Sequence, residues 1–180
     1  MKELRPVATA VSTKIPLGSR LPEIFTPRAW FQDVHSAPLT VRHETMPDLF
    51  FSIFGHHPSW MKAILIARNR LAARWGLAVA PDDEILAPSV KPTYAVGDRI
   101  GPWPTYALAD DEIIAGRDNR HLDFRVSILR TRGPDGAAVT VTTLCQPHNL
   151  AGKAYLVAIA PFHIVGMRWL LANAVRQGRI

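Results

Sequence analysis

Apolar residues recur along this chain with two periods, and the change from one to the other marks the elements. In Arg120 to Ser127, "RHLDFRVS", polar and apolar residues alternate. A strand there sets His121, Asp123, Arg125 and Ser127 on one face and Leu122, Phe124, Val126 and Ile128 on the other. The same period, or a run of β-branched residues between turn signals, appears in "TYALADDEIIAG" and "AAVTVTTLCQ", and in "TYAVGDRIG" within the loop-like stretch from Pro81 to Pro104. Short strands in succession predict an antiparallel sheet. Gly133-Pro134-Asp135-Gly136 matches a type I turn followed by a left-handed glycine, the three-residue hairpin loop with a bulge. That loop opposes Gly133 to Ala137, Arg125 to Cys145 and Ser127 to Thr143, whereas a two-residue loop shifts every pair by one.

Elsewhere the period is helical. Thr45-Met46-Pro47-Asp48 reads as a helix start, with Thr45 as N-cap, Pro47 in the first turn and Asp48 near the positive end of the dipole; Gly55 closes the helix. His57-Pro58-Ser59-Trp60 opens a second helix, in which Trp60, Ile64, Ala67, Leu71 and Trp75 predict a buried stripe ended by Gly76. A long apolar helix is expected from Ala151 to Gln177, with Tyr155, Ile159, Phe162, Gly166, Trp169 and Ala172 on one face and Pro161 breaking or kinking it. Six prolines in the first 47 residues disfavour helix there, and Trp30 to His43 is the best strand candidate. The predicted organisation is an extended, proline-containing arm over residues 1–29 and a single domain over residues 30–180.

The expected class is α+β: a helical hairpin after the first strand, antiparallel strands, then a long C-terminal helix. That order resembles the helix-grip arrangement of the polyketide-cyclase and lipid-transfer superfamily, in which a curved sheet wraps the last helix around a cavity. Four stretches carry a closer likeness: "HPSWMKAILIARNRLAARWGL", "YAVGDRIGPW", "DDEIIAGRDNRHLDFRVSIL" and "VTVTTLCQPHNLAGKAYLVAIAPFH". Together they resemble the bacterial domain-of-unknown-function family 2867, sometimes fused to a short-chain-dehydrogenase-like domain. The resemblance implies no established activity. It departs in one place, since the family tends to have a basic residue after "PFH", where this chain has Ile164.

Composition narrows the classes further. With 180 residues, 48% hydrophobic and 20% charged, the chain can bury one real core and is not a disordered type. The single cysteine, Cys145, excludes an intramolecular disulfide and a thiolate zinc site and fits a reducing compartment. "MKELRPVATAVSTKIPLGSR" lacks the apolar core of a secretory signal, so a cytoplasmic location is expected. The most apolar window, Ala154 to Val175, contains Pro161, His163 and Arg168 and is expected to be a buried helix, not a membrane span. The net charge of +6 is dispersed and comes with no nucleic-acid motif, so a solvated basic surface is expected and no nucleic-acid partner.

Three polar groups are candidates for chemistry. Asp123 is within reach of Arg125 along the strand and of His121, a set that could bind an anion or orient a general acid–base histidine; it reads equally as a solvated strand face. His148 and Asn149 stand at a strand-to-helix junction, with Asn149 as helix cap. Tyr155 and His163 lie on the final helix, where each is either a ligand contact or the partner of a buried backbone group. No spacing marks a metal site, and no phosphate loop, nucleophile elbow or dinucleotide fingerprint appears, so no metal or cofactor is expected. Cys145 reads as core filler.

Three functions follow. The first is a small-molecule binding domain, holding a hydrophobic or amphipathic ligand between sheet and C-terminal helix through Arg125, His148, Asn149, Tyr155 and His163. The second is an enzyme of cyclase, dehydratase or hydrolase type using His121 and Asp123. The third is a non-catalytic interaction module, with a homodimer as one possible assembly.

Overall fold

A computed structural model describes residues 10–12, 14–25, 29–74, 90–134 and 136–180. The class is α+β. Seven strands, β1 (Ala10–Ser12), β2 (Phe31–Pro38), β3 (Arg99–Ile100), β4 (Trp103–Leu108), β5 (Glu112–Arg117), β6 (Leu122–Gly133) and β7 (Gly136–Pro147), form an antiparallel sheet in the order β1-β2-β7-β6-β5-β4-β3. Helices α1 (Leu21–Ile24), α2 (Met46–Phe54) and α3 (Ser59–Arg74) precede β3, and α4 (Leu150–Arg176) closes the chain. An antiparallel sheet with a long C-terminal helix packed on one face is a helix-grip-like arrangement. Because β1 precedes β2, helices α2 and α3 follow the second strand and not the first.

The side of β6 that meets α4 is the apolar one. Val126 and Ile128 join Val139 and Val141 of β7, Ile113 of β5, and Met167, Leu170, Leu171 and Ala174 of α4 in the main core, which α2 completes with Met46, Leu49, Phe50 and Ile53. Each fully buried side chain of this size contributes about 1.5–3 kcal/mol relative to exposure. Helix α2 begins as predicted: Thr45 Oγ1 accepts from Asp48 N at 3.2 Å and Asp48 Oδ2 accepts from Thr45 N at 3.1 Å, a reciprocal capping box.

Four local expectations are corrected. The β6–β7 loop has two residues: Gly133 opposes Gly136, so Arg125 faces Leu144, Ser127 faces Thr142 and Phe124 faces Cys145. Gly136 takes up the turn with φ +110°, a conformation that needs no Cβ. Among the described side chains of α3 the buried positions are Met61 and Asn69, whereas Trp60 and Ile64 are 49% and 42% exposed and Ala67 is exposed; the Leu71 side chain, Trp75 and Gly76 lie outside what the structure describes. A stripe one residue on, Met61–Leu65–Asn69, has the same helical spacing and is the one that meets the core. Of the two outcomes expected at Pro161 the break does not occur: α4 runs through it, and Pro161 is on the exposed side, where water can satisfy the carbonyl freed by the missing N–H. The inward face of α4 is Leu156, Met167, Leu170, Leu171 and Ala174; Phe162 of the expected face is 63% exposed, and the helix is therefore buried on one side only.

Candidate functional site

The alternation in "FQDVHSAP" gives β2 an unusual inner face. Phe31, Asp33, His35 and Ala37 oppose Cys145, Thr143, Val141 and Val139 of β7, the side that carries the main core. Two titratable residues are thus placed under α4, Asp33 at 6% and His35 at 1% exposure. His35 Nε2 lies 2.9 Å from Asp33 Oδ2, and His163 Nε2, reaching down from α4, lies 3.3 Å from the same oxygen. The edge of one ring meets the face of the other where Phe31 touches His163, centroids 5.9 Å apart. The His163 side chain is 25% exposed, the most of the three, although its Nε2, which faces Asp33, is sealed.

Burial alone raises a carboxylate pKa, since it penalises the charged form. At Asp33 the contacts with His163 and His35 outweigh that cost and hold the carboxyl well below its usual range. A buried charge costs several kcal/mol unless paired, and here the two imidazoles flank the carboxylate. His35 Nδ1 has no hydrogen-bond partner, and His163 Nε2 meets Asp33 at ion-pair distance without hydrogen-bond geometry, so two polar atoms are left unsatisfied beside the carboxylate. Cys145 is on the same face, and burial followed by the negative Asp33 pushes its thiol up to about 12, which excludes a resting thiolate.

The residues singled out on β6 go elsewhere. His121, 8% exposed, turns Nδ1 to the Asn149 side chain (2.9 Å to Nδ2, 3.1 Å to Oδ1), and Arg120 Nη2 lies 3.2 Å from its Nε2. Asn149 Oδ1 accepts from Gly152 N at 3.0 Å, the expected cap of α4. Asp123 pairs with His148 (Oδ2 to Nε2 2.9 Å) and accepts from Asn119 N at 3.0 Å. His121 and Asp123 are therefore engaged by different partners, and the expected hold of Asp123 on His121 does not form. Both histidines serve the junction where β7 turns into α4: His148 N donates to His121 O at 2.9 Å, and Gly152 packs so closely that a Cβ would fall 2.0 Å from His121 O.

Arg125 is also corrected. It points to the face away from α4, forms a two-pronged pair with Asp118 (2.6 and 3.1 Å), and stacks its guanidinium 3.5 Å from the Tyr106 ring centroid. The Arg125 hydrogen bond, against some burial cost, lowers the Asp118 pKa. That face is not solvent, because Leu21 and Phe25 cover it, packing on Ile114 and Leu144 of the same face. Beneath them the fully buried Glu112 accepts from Ser19 Oγ (2.6 Å), Arg20 N (2.7 Å) and Ser127 Oγ (2.5 Å), fastening the N-terminal segment to the sheet. Tyr155 is half-buried and packs with Ile159 against Leu122, Cys145 and Leu156.

Of the predicted site residues, only His163 joins the buried cluster under α4. Asp33 and His35 alternate along β2 as His121 and Asp123 do along β6, and what sets them apart, the packing of α4 over that face, is not a local property of the sequence. Among the described residues no group of His, Cys, Asp or Glu is arranged to hold a metal ion. Two surface hollows, about 490 Å³ lined by Ala63, Ile66, Ala67, Arg70 and Arg74 and about 460 Å³ around Arg42, Glu44, Asp111 and Arg130, both lie away from the cluster.

The fold and site define an α+β protein, helix-grip-like, with a buried carboxylate shared by two histidines between sheet and C-terminal helix. Residues 25–168 match the family described as "Protein of unknown function (DUF2867)", and the chain belongs to it. Neither the curated proteins nor the solved structures contain a match.

Proposed function

We propose that this protein binds a small amphipathic molecule where α4 crosses β2, with His163 contacting its polar group. Asp33 and His35 stand behind that histidine and fix its position. The observation that carries this reading is the single Asp33 oxygen with two imidazole nitrogens at 2.9 and 3.3 Å, one histidine sealed and the other part-exposed. Polar groups with strongly displaced pKa values inside an apolar surround concentrate at functional sites. Phe31, Tyr155 and Ile159, all part-buried, supply the apolar flank.

Thermal unfolding with decanoate and with 2-naphthoate tests it. A ligand at about ten times its Kd adds about 1.4 kcal/mol and raises Tm by a few degrees. That shift should be lost in His163→Gln. The reading fails if neither probe moves Tm, or if the variant responds as the wild type does.

The Asp33–His163 contact also favours a second reading, in which the bound molecule is converted with His163 as general acid or base. On that reading His163→Gln keeps part of its affinity for product-like acids and loses turnover. The enzyme reading on His121 and Asp123 has no comparable support, since each is committed to the α4 junction.

A further inference from the structure

The outward side of α4 is unusual for a helix bathed in water. Between Leu150 and Arg168 every exposed position is apolar except Lys153 and Arg168. Val157, Phe162 and Val165 are 62%, 63% and 66% exposed, and Pro161 is exposed between them. Helix α3 continues the surface. Its half-exposed Trp60 stands edge-on to Trp169, centroids 5.5 Å apart, with Ile64 exposed one turn further along. Monomeric proteins rarely leave contiguous apolar surface of this kind without a use for it.

Charge says what the surface fits. Helix α3 carries Lys62, Arg68, Arg70 and Arg74, and α4 carries Lys153, Arg168 and Arg176; neither contains an aspartate or a glutamate. A second copy of this chain would bring the same all-cationic face against itself, since a two-fold interface pairs like patches. An acidic protein would meet almost no side chain able to exchange neutral hydrogen bonds, although ordinary interfaces make about one hydrogen bond per 100–200 Å². An anionic lipid surface needs neither. It accepts apolar side chains below the headgroups, cations at their level and a tryptophan at the boundary. The hollow on α3, with Ala63, Ile66 and Ala67 beside Arg70 and Arg74, repeats that chemistry. By length and composition α4 could cross a membrane, yet its inner stripe is committed to the sheet, which leaves only the outer stripe for lipid.

We infer that the outer faces of α3 and α4 dock this protein on an anionic membrane surface, lying along it without spanning it. The inference stands apart from the proposed ligand site, which is on the inner side of α4.

Flotation of the full chain with vesicles of phosphatidylcholine alone, and of an equimolar mixture with phosphatidylglycerol, tests it. The protein should float with the anionic vesicles, much less with the neutral ones, and progressively less as salt rises. Arg168→Gln should weaken binding about fivefold, the effect of about one kilocalorie per cation near such a surface. Phe162→Asp with Val165→Asp should abolish it while leaving the melting curve unchanged, because both side chains already face outward. The inference is overturned if the wild type does not float with anionic vesicles, or if the double variant floats equally well. It is also overturned if light scattering finds a wild-type dimer that the double variant splits while lipid binding stays absent, which would assign the face to a second copy.

Discussion

His163 Nε2 on α4 lies 3.3 Å from Asp33 Oδ2 on β2, and this contact joins the last helix to the second strand through a buried charge. Asp33→Asn keeps the shape and removes the charge, leaving two imidazoles packed around a neutral amide. Loss of a charge-assisted contact in a buried setting costs about 1–3 kcal/mol. Urea unfolding should show that loss near neutral pH; an unchanged midpoint would mean the cluster contributes nothing to the fold.

The same residue sets an acid limb. Its folded pKa is depressed below the ordinary 3.8, so its stabilisation is complete above that value and is lost as pH falls through the folded pKa. His57 acts in a different window. Burial, with help from Lys62 and His56, lowers it from 6.5 to about 4, so between those values the unfolded chain binds the extra proton and stability falls with falling pH. His57→Gln should flatten the stability profile between about pH 6.5 and 4 and leave the limb below it; Asp33→Asn should do the reverse. Chemical denaturation repeated across this range separates the two.

Much of this is legible in the sequence. The class, the α2 cap at Thr45, the Asn149 cap and the apolar face of β6 follow from local rules, in which each residue's neighbours along the chain decide the outcome. The failures have a common physical origin. Which stripe of α3 is buried, which face of β2 holds Asp33 and His35, and which partner takes Arg125 all depend on residues distant in sequence, here α4, β7 and Asp118. The β6–β7 register turned on a single loop residue, and a shift of one exchanged Cys145 for Leu144 opposite Arg125. The choice between a solvated face and a pocket floor for Arg125 was incomplete for the same reason, since residues 21–25 cover it.

That cover makes its own prediction. Glu112 accepts three hydrogen bonds, so Glu112→Gln turns an amide toward donors already in place. The expected cost is about 1–3 kcal/mol, and the strap at Ser19 and Arg20 should loosen. Limited proteolysis should then cleave within residues 14–25 sooner than in the wild type, and cleavage at an equal rate would remove Glu112 as the fastener.

Gly152 sets two effects against each other. Alanine is the better helix former by about 1 kcal/mol, and in a free helix Gly152→Ala would stabilise. Here the added Cβ falls 2.0 Å from His121 O, 2.9 Å from its carbonyl carbon and 3.3 Å from Pro147 Cβ. Backbone cannot yield as a flexible side-chain tip can, so the first turn of α4 has to move away from the His121 loop, straining the Asn149–Gly152 cap at 3.0 Å. Overpacking of this kind costs about 1–3 kcal/mol, enough to exceed the gain in propensity. The variant should therefore melt lower than the wild type, and a higher Tm would show that the junction between β7 and α4 has room to spare.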